Sequence, residues 1–164
     1  MNYGELKKIT IENGTGVRVS LFVSGCRNHC FNCIQPETWD FTYGMPFTEI
    51  TVQEIIKDME PDYIAGLTIL GGDPMEPENE PEVLELCKKV KDVYPDKTIW
   101  LYTGYLFEDF IGHELYNWVD IIVDGRFEED LKNLTLPFRG SSNQRIIDVK
   151  ASVENGKVVL MEVV

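Results

Sequence analysis

An alternation of short apolar strands with helix-like segments constrains the fold of this chain more than any other feature. The predicted segments are a helix at 51–59 that opens on a capping box of Thr51 and Glu54, a strand at 67–70, a helix at 82–93, a strand at 98–102, a helix at 108–118 and a strand at 119–123. Strands joined through helices lie parallel in one sheet, with right-handed crossovers. Because these units are too few for a closed eight-stranded barrel, we predict an α/β fold with a partial, open β/α barrel.

Both ends of the chain carry the pattern of a β-hairpin. In each case two β-branched runs flank a turn that contains glycine: Leu6 to Ile11 and Val17 to Val23 around Asn13-Gly14-Thr15-Gly16, and Arg145 to Val149 and Lys157 to Val163 around Asn155-Gly156. Turns of this composition favour antiparallel pairing. We therefore predict terminal β-hairpins in a single domain over residues 1–164, since no linker, repeat or low-complexity tract divides the chain.

The composition is that of a globular protein and argues against two classes of partner. Of 164 residues, 43% are hydrophobic and 26% are charged, and the formal net charge is -13. So large an acidic excess opposes association with nucleic acid or with an anionic membrane surface. The first residues lack the pattern of a secretory signal, and no run of about 18 apolar residues is present to span a membrane. We therefore expect a cytoplasmic protein.

Three of the four cysteines, Cys26, Cys30 and Cys33, lie close together directly after the predicted strand 17–23. In a reducing compartment such a group indicates metal ligands or redox groups rather than a disulfide framework. A structural zinc site fills all four positions with protein ligands, whereas a [4Fe-4S] cluster held by three cysteines keeps one iron open for a substrate. The spacing therefore favours an iron-sulfur cluster with one open iron.

Two other interpretations of the cysteines stay open at this point. One is a zinc site with His29 or Cys87 as the fourth ligand, and the other is a cluster that only carries electrons, a task that usually takes four cysteines. His29 adjoins Cys30 and would have to bend back within the same short loop. Cys87 falls on the apolar stripe of the predicted helix 82–93, where a small core residue is the simpler interpretation.

Candidate ligand-binding residues follow three of the predicted strands. Gly71-Gly72-Asp73-Pro74 ends the strand 67–70, Thr103 follows the next strand, and Asp124 follows the one after. Glycine allows a ligand to approach the backbone closely, and a carboxylate accepts hydrogen bonds from an ammonium group. Since parallel strands end at one edge of a barrel, these residues are predicted to share that edge. The same residue types also form ordinary turns, so this signal is weak when taken alone.

The cysteine spacing, with Phe31 directly after the second cysteine, resembles the signature loop of the radical S-adenosylmethionine enzymes. The resemblance implies a [4Fe-4S] cluster on Cys26, Cys30 and Cys33, S-adenosyl-L-methionine at the open iron, and the partial barrel of that superfamily. It implies no side-chain acid or base, and Tyr105 is interpreted as a packing residue. The cofactor-binding residues that it implies are Phe31, Asn32, Cys33, Ile34, Gly71, Gly72, Asp73, Thr103 and Asp124.

Longer stretches resemble one family within that superfamily, the activating proteins of anaerobic ribonucleoside-triphosphate reductases. The matching stretches are 24–41, 71–74, 124–127 and 139–145, so the resemblance covers nearly the whole chain. It implies reductive cleavage of S-adenosylmethionine to a 5′-deoxyadenosyl radical. That radical would generate a glycyl radical in the C-terminal glycine loop of the reductase large subunit, with a flavodoxin-like protein as the electron donor.

Two functions other than activation of a reductase also agree with the sequence. The first is a radical S-adenosylmethionine enzyme that acts on a small molecule, and the second is a non-catalytic, zinc-stabilised binding module. The segment Arg139 to Arg145 is either a surface connection or a contact to a partner, because loops serve both purposes. The sequence alone does not distinguish these possibilities.

Overall fold

The computed structural model describes residues 1–163, and one mixed sheet of seven strands runs through it in the order β3-β1-β2-β4-β5-β6-β7. The strands are β1 (Asn2–Thr10), β2 (Val17–Val23), β3 (Met45–Pro46), β4 (Ile64–Gly71), β5 (Thr98–Tyr102), β6 (Ile121–Asp124) and β7 (Arg145–Asp148). Strands β2, β4, β5 and β6 are parallel, while β1, β3 and β7 are antiparallel to their neighbours. This largely parallel, open sheet confirms the predicted α/β class. Val164, the last residue of the predicted domain, lies outside the described residues.

Three α-helices and four short 3-10 turns connect the strands. The helices are α1 (Glu49–Asp58), α2 (Glu80–Val93) and α3 (Val149–Asn155), and the 3-10 turns span Pro36–Trp39, Phe107–Phe110, Glu114–Asn117 and Glu129–Leu131. Within residues 1–163, no helix is both long and apolar enough to cross a membrane. The first helix begins earlier than predicted, because Thr48 is its N-cap and Thr51 is its third residue. The Thr51 hydroxyl accepts a hydrogen bond from the Thr48 backbone N–H at 3.2 Å.

One face of the sheet packs against α1 and α2. Successive side chains of a strand point to opposite faces, and on this face the inward residues are fully buried. They are Val19, Leu21, Leu67, Ile69, Ile99 and Leu101, which share a core with Ile55 of α1 and with Val83, Leu86 and Cys87 of α2. The sequence-based assignment of Cys87 to the core is therefore confirmed.

The opposite face holds a smaller apolar cluster and a buried cation. Arg18 is fully buried and donates hydrogen bonds to the Thr68 hydroxyl at 2.8 Å and to the Thr98 carbonyl oxygen at 2.8 Å. Its guanidinium lies 5.7 Å from the centre of the Trp100 ring, and burial lowers the pKa of Arg18 to about 10. This network fills the sheet face at the start of β5, away from the strand ends that carry the candidate site.

The predicted helix at 108–118 is wrong. The structure has two separate 3-10 turns there, Phe107–Phe110 and Glu114–Asn117. Between them Gly112 has a φ of 83°, in the left-handed region that an α-helix does not contain. His113 then starts the second turn, since its Nδ1 accepts a hydrogen bond from the Leu115 N–H at 3.0 Å. The apolar spacing was helix-like, but the glycine interrupted it.

Of the two predicted hairpins, the N-terminal one is confirmed. At the C-terminal end the predicted antiparallel pairing is present, with Ile147 opposite Leu160, but the predicted tight turn is wrong because helix α3 connects the two segments. Strands β1 and β2 pair antiparallel, with Leu6 opposite Leu21. At the other end Asp148 caps α3 by accepting from the Ala151 N–H at 3.0 Å, and Gly156, at a φ of 68°, ends that helix. An Asn-Gly pair suits the C-terminal end of a helix as well as a hairpin turn. The tail still returns beside β7, because the Met161 N–H donates to the Ile146 carbonyl oxygen at 2.8 Å.

Candidate functional site

The carboxyl ends of β2, β4, β5 and β6 meet at one edge of the sheet and bring the candidate residues together. Val23 at the end of β2 pairs with Gly71 at the end of β4, and Tyr102 at the end of β5 pairs with Val123 of β6. The cysteine loop, residues 25–38, leaves β2 at this edge. The parallel arrangement thus places segments far apart in sequence around one space, as the sequence predicted.

The cysteine loop is closed at its base and exposed at its tip. The Gly25 N–H donates to the Thr38 carbonyl oxygen at 2.7 Å, and the Cys26 N–H donates to the Trp39 carbonyl oxygen at 3.2 Å. Within the loop, the Cys33 N–H donates to the Cys30 carbonyl oxygen at 3.1 Å. All three cysteines of the loop are partly buried free thiols. The chain therefore offers three thiol ligands on a loop whose two ends are tied to each other.

The proposed fourth zinc ligands are both engaged elsewhere. The Cys87 thiol is fully buried in the core, where burial raises its pKa to about 12, so it stays a neutral thiol. The His29 ring stacks on Trp39 with the ring centres 4.3 Å apart. Among the described residues, no three His, Cys, Asp or Glu side chains are assembled into a group that could hold a single metal ion, and this includes the three loop cysteines. Three cysteines without a fourth protein ligand fit a [4Fe-4S] cluster that keeps one iron open.

The Gly71-Gly72 turn lies directly on the base of the cysteine loop. Gly71 has a φ of 107°, and a Cβ on Gly72 would lie only 2.6 Å from the Gly25 carbonyl oxygen. The Gly72 N–H donates to the Val23 carbonyl oxygen at 2.7 Å, and the Asp73 N–H donates to the Gly25 carbonyl oxygen at 2.8 Å. Glycine is required here because two backbone segments approach each other without room for a side chain.

Asp73 connects three parts of the site through its carboxylate. Its Oδ1 accepts from the Met75 N–H at 3.0 Å and from the Thr103 hydroxyl at 2.8 Å. Its Oδ2 accepts from the Asn28 side-chain amide at 2.8 Å and from the Gly104 N–H at 2.9 Å. Only 1% of the residue is exposed, and this burial raises the pKa of Asp73 to about 6. The carboxylate is fully hydrogen-bonded within the protein, including through the predicted site residue Thr103.

Asp124 lies beneath the site in a buried ion pair. Its carboxylate accepts from Arg145 Nε at 3.0 Å and Nη2 at 2.6 Å, and from the Phe107 N–H at 2.8 Å. Arg145 also bridges to Glu108 at 2.6 Å. The predicted segment Arg139 to Arg145 therefore contains at least one residue with an internal structural role. Because Asp124 is fully buried and occupied by Arg145, its carboxylate does not face a ligand directly.

Phe31, Asn32 and Ile34 surround Cys33 on the exposed part of the loop. Phe31 is 75% exposed and Ile34 is 83% exposed, which is unusual for large apolar side chains. Asn32 has a φ of 57°, a left-handed conformation that asparagine adopts more readily than most residues. Exposed apolar side chains beside the thiols provide a surface against which an aromatic ligand can pack.

Sequence reasoning missed the side-chain contacts of Arg27, Arg126 and Tyr105 around the loop. Arg27 bridges to Glu76 and Glu78, and Arg126 donates to the Asn28 carbonyl oxygen from the segment after β6. Tyr105, expected only to pack, also donates its hydroxyl hydrogen to Glu76. No local pattern marks these residues, because their partners are far away in the sequence.

Comparison with known proteins identifies the family. Residues 12–147, which include all three loop cysteines, match the family described as a 4Fe-4S single cluster domain. The chain is 44% identical over 146 residues to the anaerobic ribonucleoside-triphosphate reductase-activating protein of Enterobacteria phage T4, covering 89% of this chain and 93% of that protein. It is 38% identical over 148 residues to the protein of the same name from Escherichia coli strain K12, covering 88% and 96%. The protein of that name from Pasteurella multocida is 40% identical over 152 residues, with 89% and 96% covered.

The chain belongs to this family of activating proteins. Membership confirms the resemblance that the sequence indicated and confirms the [4Fe-4S] cluster as the metal centre. It also accounts for the three thiols that the loop carries. The partial radical S-adenosylmethionine barrel agrees with the open sheet of the structure.

Proposed function

We propose that this chain uses a [4Fe-4S] cluster on Cys26, Cys30 and Cys33 to activate an anaerobic ribonucleoside-triphosphate reductase with S-adenosylmethionine as the cofactor. The observation that carries the proposal is the three-thiol loop at the carboxyl edge of a parallel sheet, in a chain of this family. When bound, the cluster supplies the electron for reductive cleavage of the carbon-sulfur bond of the cofactor. The chain itself binds and orients the reacting groups and excludes water.

The cofactor contacts are assigned to two surfaces at this edge. The first is the exposed part of the loop, where Phe31 and Ile34 offer apolar area to the adenine end. The second is the Gly71-Gly72 turn, which lies against the base of the cysteine loop and is assigned to the methionine end. Four protein donors already bind the oxygens of the Asp73 carboxylate, so its negative charge would favour an ammonium group beside this turn through electrostatic attraction and not through a direct hydrogen bond. The proposed cofactor-binding set is Phe31, Asn32, Cys33, Ile34, Gly71, Gly72 and Asp73.

Thr103 and Asp124 are assigned indirect roles on the same edge. The Thr103 hydroxyl donates to Asp73, so we assign it to the orientation of that carboxylate. The Asp124 carboxylate is held by Arg145 and by the Phe107 N–H, so we assign it to fixing the end of β6. This revises the direct cofactor contact that the resemblance implied for both residues.

We propose two protein partners. The first is the large subunit of the reductase, whose C-terminal glycine loop would reach the site through the open side of the sheet. The seven strands form an open sheet that does not close on itself, whereas a closed barrel would obstruct such an approach. The second is a flavodoxin-like electron donor, which would approach the exposed tip of the cysteine loop.

Anaerobic reconstitution tests the proposal in one sequence of measurements. The protein is supplied with iron and sulfide, reduced, and given S-adenosylmethionine, and methionine and 5′-deoxyadenosine are then measured. We expect both products in equal amounts, and a glycyl signal in electron paramagnetic resonance when the large subunit is added. Zinc without inorganic sulfide in the purified protein would refute the proposal. Turnover of a small molecule without any glycyl signal would support the alternative radical enzyme instead.

A further inference from the structure

One charged side chain ties the cysteine loop to the segment that leads into α2. Arg27 follows Cys26 directly, and its guanidinium donates to Glu76 Oε2 at 2.6 Å. It also forms a two-point contact with Glu78, from Nη1 to Oε2 at 2.7 Å and from Nη2 to Oε1 at 2.8 Å. Planar guanidinium groups hold carboxylates in a defined orientation through such paired bonds. The contact therefore restrains the direction in which the loop leaves the sheet edge.

The acceptor Glu76 is held by hydrogen bonds to both its side chain and its backbone. Its side chain is fully buried, and the Tyr105 hydroxyl donates to its second carboxylate oxygen. Its backbone carbonyl accepts from the Asn79 N–H at 2.8 Å, and the Asn79 side chain in turn donates to the Ser24 carbonyl oxygen at 2.9 Å. Arg27 is thus bound to a carboxylate whose position is fixed by Tyr105 and, through Asn79, by the residue that follows β2, Ser24.

The guanidinium of Arg27 also covers the segment that follows the cysteine loop. It lies 4.6 Å from the centre of the Phe41 ring, a distance at which a cation is attracted to an aromatic face. Phe41 packs so closely on Gly25 that a Cβ on the glycine would lie 2.1 Å from the ring. Arg27 therefore contacts a residue on the far side of the loop as well as the approach to α2.

The local charges make this arrangement dependent on the arginine. The chain has a net charge of -13, and Asp73 lies near Glu76. Because an arginine guanidinium stays protonated at any physiological pH, Arg27 places a permanent positive charge between Glu76 and Glu78. Without it, Glu76 would remain buried with the Tyr105 hydroxyl as its side-chain partner, and a buried carboxylate without a cation is strongly unfavourable.

We propose that Arg27 is a positioning residue for the cluster, which it serves by holding the cysteine loop through Glu76, Glu78 and Phe41. The guanidinium is hydrogen-bonded to Glu76 and Glu78, so Arg27 is not itself a cluster ligand. Its effect on the cluster is to fix the conformation of the loop that carries the three thiols. This inference rests on the proposed cluster function. It predicts that the contact governs how well the three thiols retain iron.

The test compares iron retention in the reconstituted protein. Arg27→Gln keeps a polar side chain of similar length but removes the charge. We expect iron to be lost to a chelator about tenfold faster than from the unmodified protein, since residues that orient metal ligands typically change affinity by about 10- to 100-fold. Lys89→Gln is the matched control, because Lys89 also bridges to a glutamate, Glu49, at 2.7 Å on an exposed surface. It should lose iron at the unmodified rate.

Two further variants separate positioning from general stability. Arg27→Lys keeps the charge without the paired bonds and should lose iron at an intermediate rate. In the double variant with Glu76→Gln, the loss should be no faster than in the faster of the two single variants, because both remove the same contact. The electron paramagnetic resonance spectrum of the reduced cluster should respond differently to S-adenosylmethionine in Arg27→Gln than in Lys89→Gln. If Arg27→Gln does not fold, Arg27→Lys carries the same comparison.

The outcomes distinguish this inference from the proposed function. A protein that takes up no iron and sulfide even without substitution overturns the proposed function. Equal iron retention in Arg27→Gln and Lys89→Gln overturns only the role of Arg27. The same conclusion follows if the effects of Arg27→Gln and Glu76→Gln multiply in the double variant, because the two side chains would then act independently.

Discussion

Gly72→Ala provides the sharpest test of how the Gly-Gly turn supports the cysteine loop. A Cβ at this position would lie 2.6 Å from the Gly25 carbonyl oxygen and 2.9 Å from both the Gly25 nitrogen and the Thr38 carbonyl oxygen. Ordinary contacts of this kind begin at 3.4 Å, so these backbone atoms must retreat by about 0.5–0.8 Å. The atoms that must move belong to the two ends of the cysteine loop.

The expected loss of stability follows from two opposing effects. Forcing a methyl group into a packed space costs about 1–3 kcal/mol. Replacing glycine by alanine also restricts the unfolded chain, which stabilises the folded state by about 0.4–1 kcal/mol. The net cost for Gly72→Ala is therefore about 1–2 kcal/mol, or a decrease of about 2–8 °C in the unfolding temperature of the metal-free protein. Most of the protein should still fold.

The effect on the cluster should be larger than the effect on stability. Because the displaced atoms are at the base of the loop, we expect about tenfold weaker retention of iron after anaerobic reconstitution. Iron and sulfide per chain, measured before and after exposure to a chelator, give this quantity directly. The matched control is Gly112→Ala, where an added Cβ meets no atom within 4 Å but the φ of 83° costs about 1–2 kcal/mol.

The two alanine variants should therefore unfold at similar temperatures and differ in iron retention. Gly72→Ala loses stability by displacing the loop, whereas Gly112→Ala loses it by backbone strain at a turn that carries no site residue. If both retain iron equally well, the close approach of Gly72 to Gly25 does not support the cluster, and the reasoning is refuted.

Three further predictions concern other residues. Cys26→Ala should abolish cofactor cleavage and Cys87→Ala should leave it intact, as measured by 5′-deoxyadenosine; loss of the cluster in the Cys87 variant would contradict the ligand assignment. The folded-state pKa of Asp73 is raised to about 6, so its contribution to stability is present below pH 3.8 and is lost as the pH rises through 6. Urea unfolding of the metal-free protein should therefore shift in favour of Asp73→Asn by about 2 kcal/mol between pH 4 and 7, and a constant difference would show that the buried carboxylate is not destabilised by its charge. Arg145→Gln should cost about 2–3 kcal/mol, because it leaves Asp124 buried without its cation, and an unfolding free energy within 0.5 kcal/mol of the unmodified protein would count against that ion pair.

Much of the fold and the position of the site could be predicted from local sequence patterns. The strand Thr98 to Tyr102 was predicted with its observed bounds, and the helix predicted to end at Val93 does so. Parallel strands end at one edge, so the placement of Gly71, Thr103 and the cysteine loop followed once the alternation was recognised. The proposed ligands Cys26, Cys30 and Cys33 could be named from the sequence because all three residues lie on one loop.

Residues whose meaning depends on distant partners could not be interpreted in the same way. The pair Asn155-Gly156 is typical of both a hairpin turn and the end of a helix. In the structure Asp148 caps the start of α3 and Gly156 ends it, so the pair belongs to a helix end. No local pattern revealed that Arg145 binds Asp124 or that Glu76 binds Arg27, because these partners lie 21 and 49 residues apart in the sequence.

The sequence by itself thus determined the chemistry of the site, because thiol spacing and strand pattern are local properties of the chain. The tertiary structure alone decided which protein groups bind each carboxylate and which side chains hold the loop. Those properties depend on burial and on hydrogen-bond partners, which exist only after the β2, β4 and β5 ends have come together.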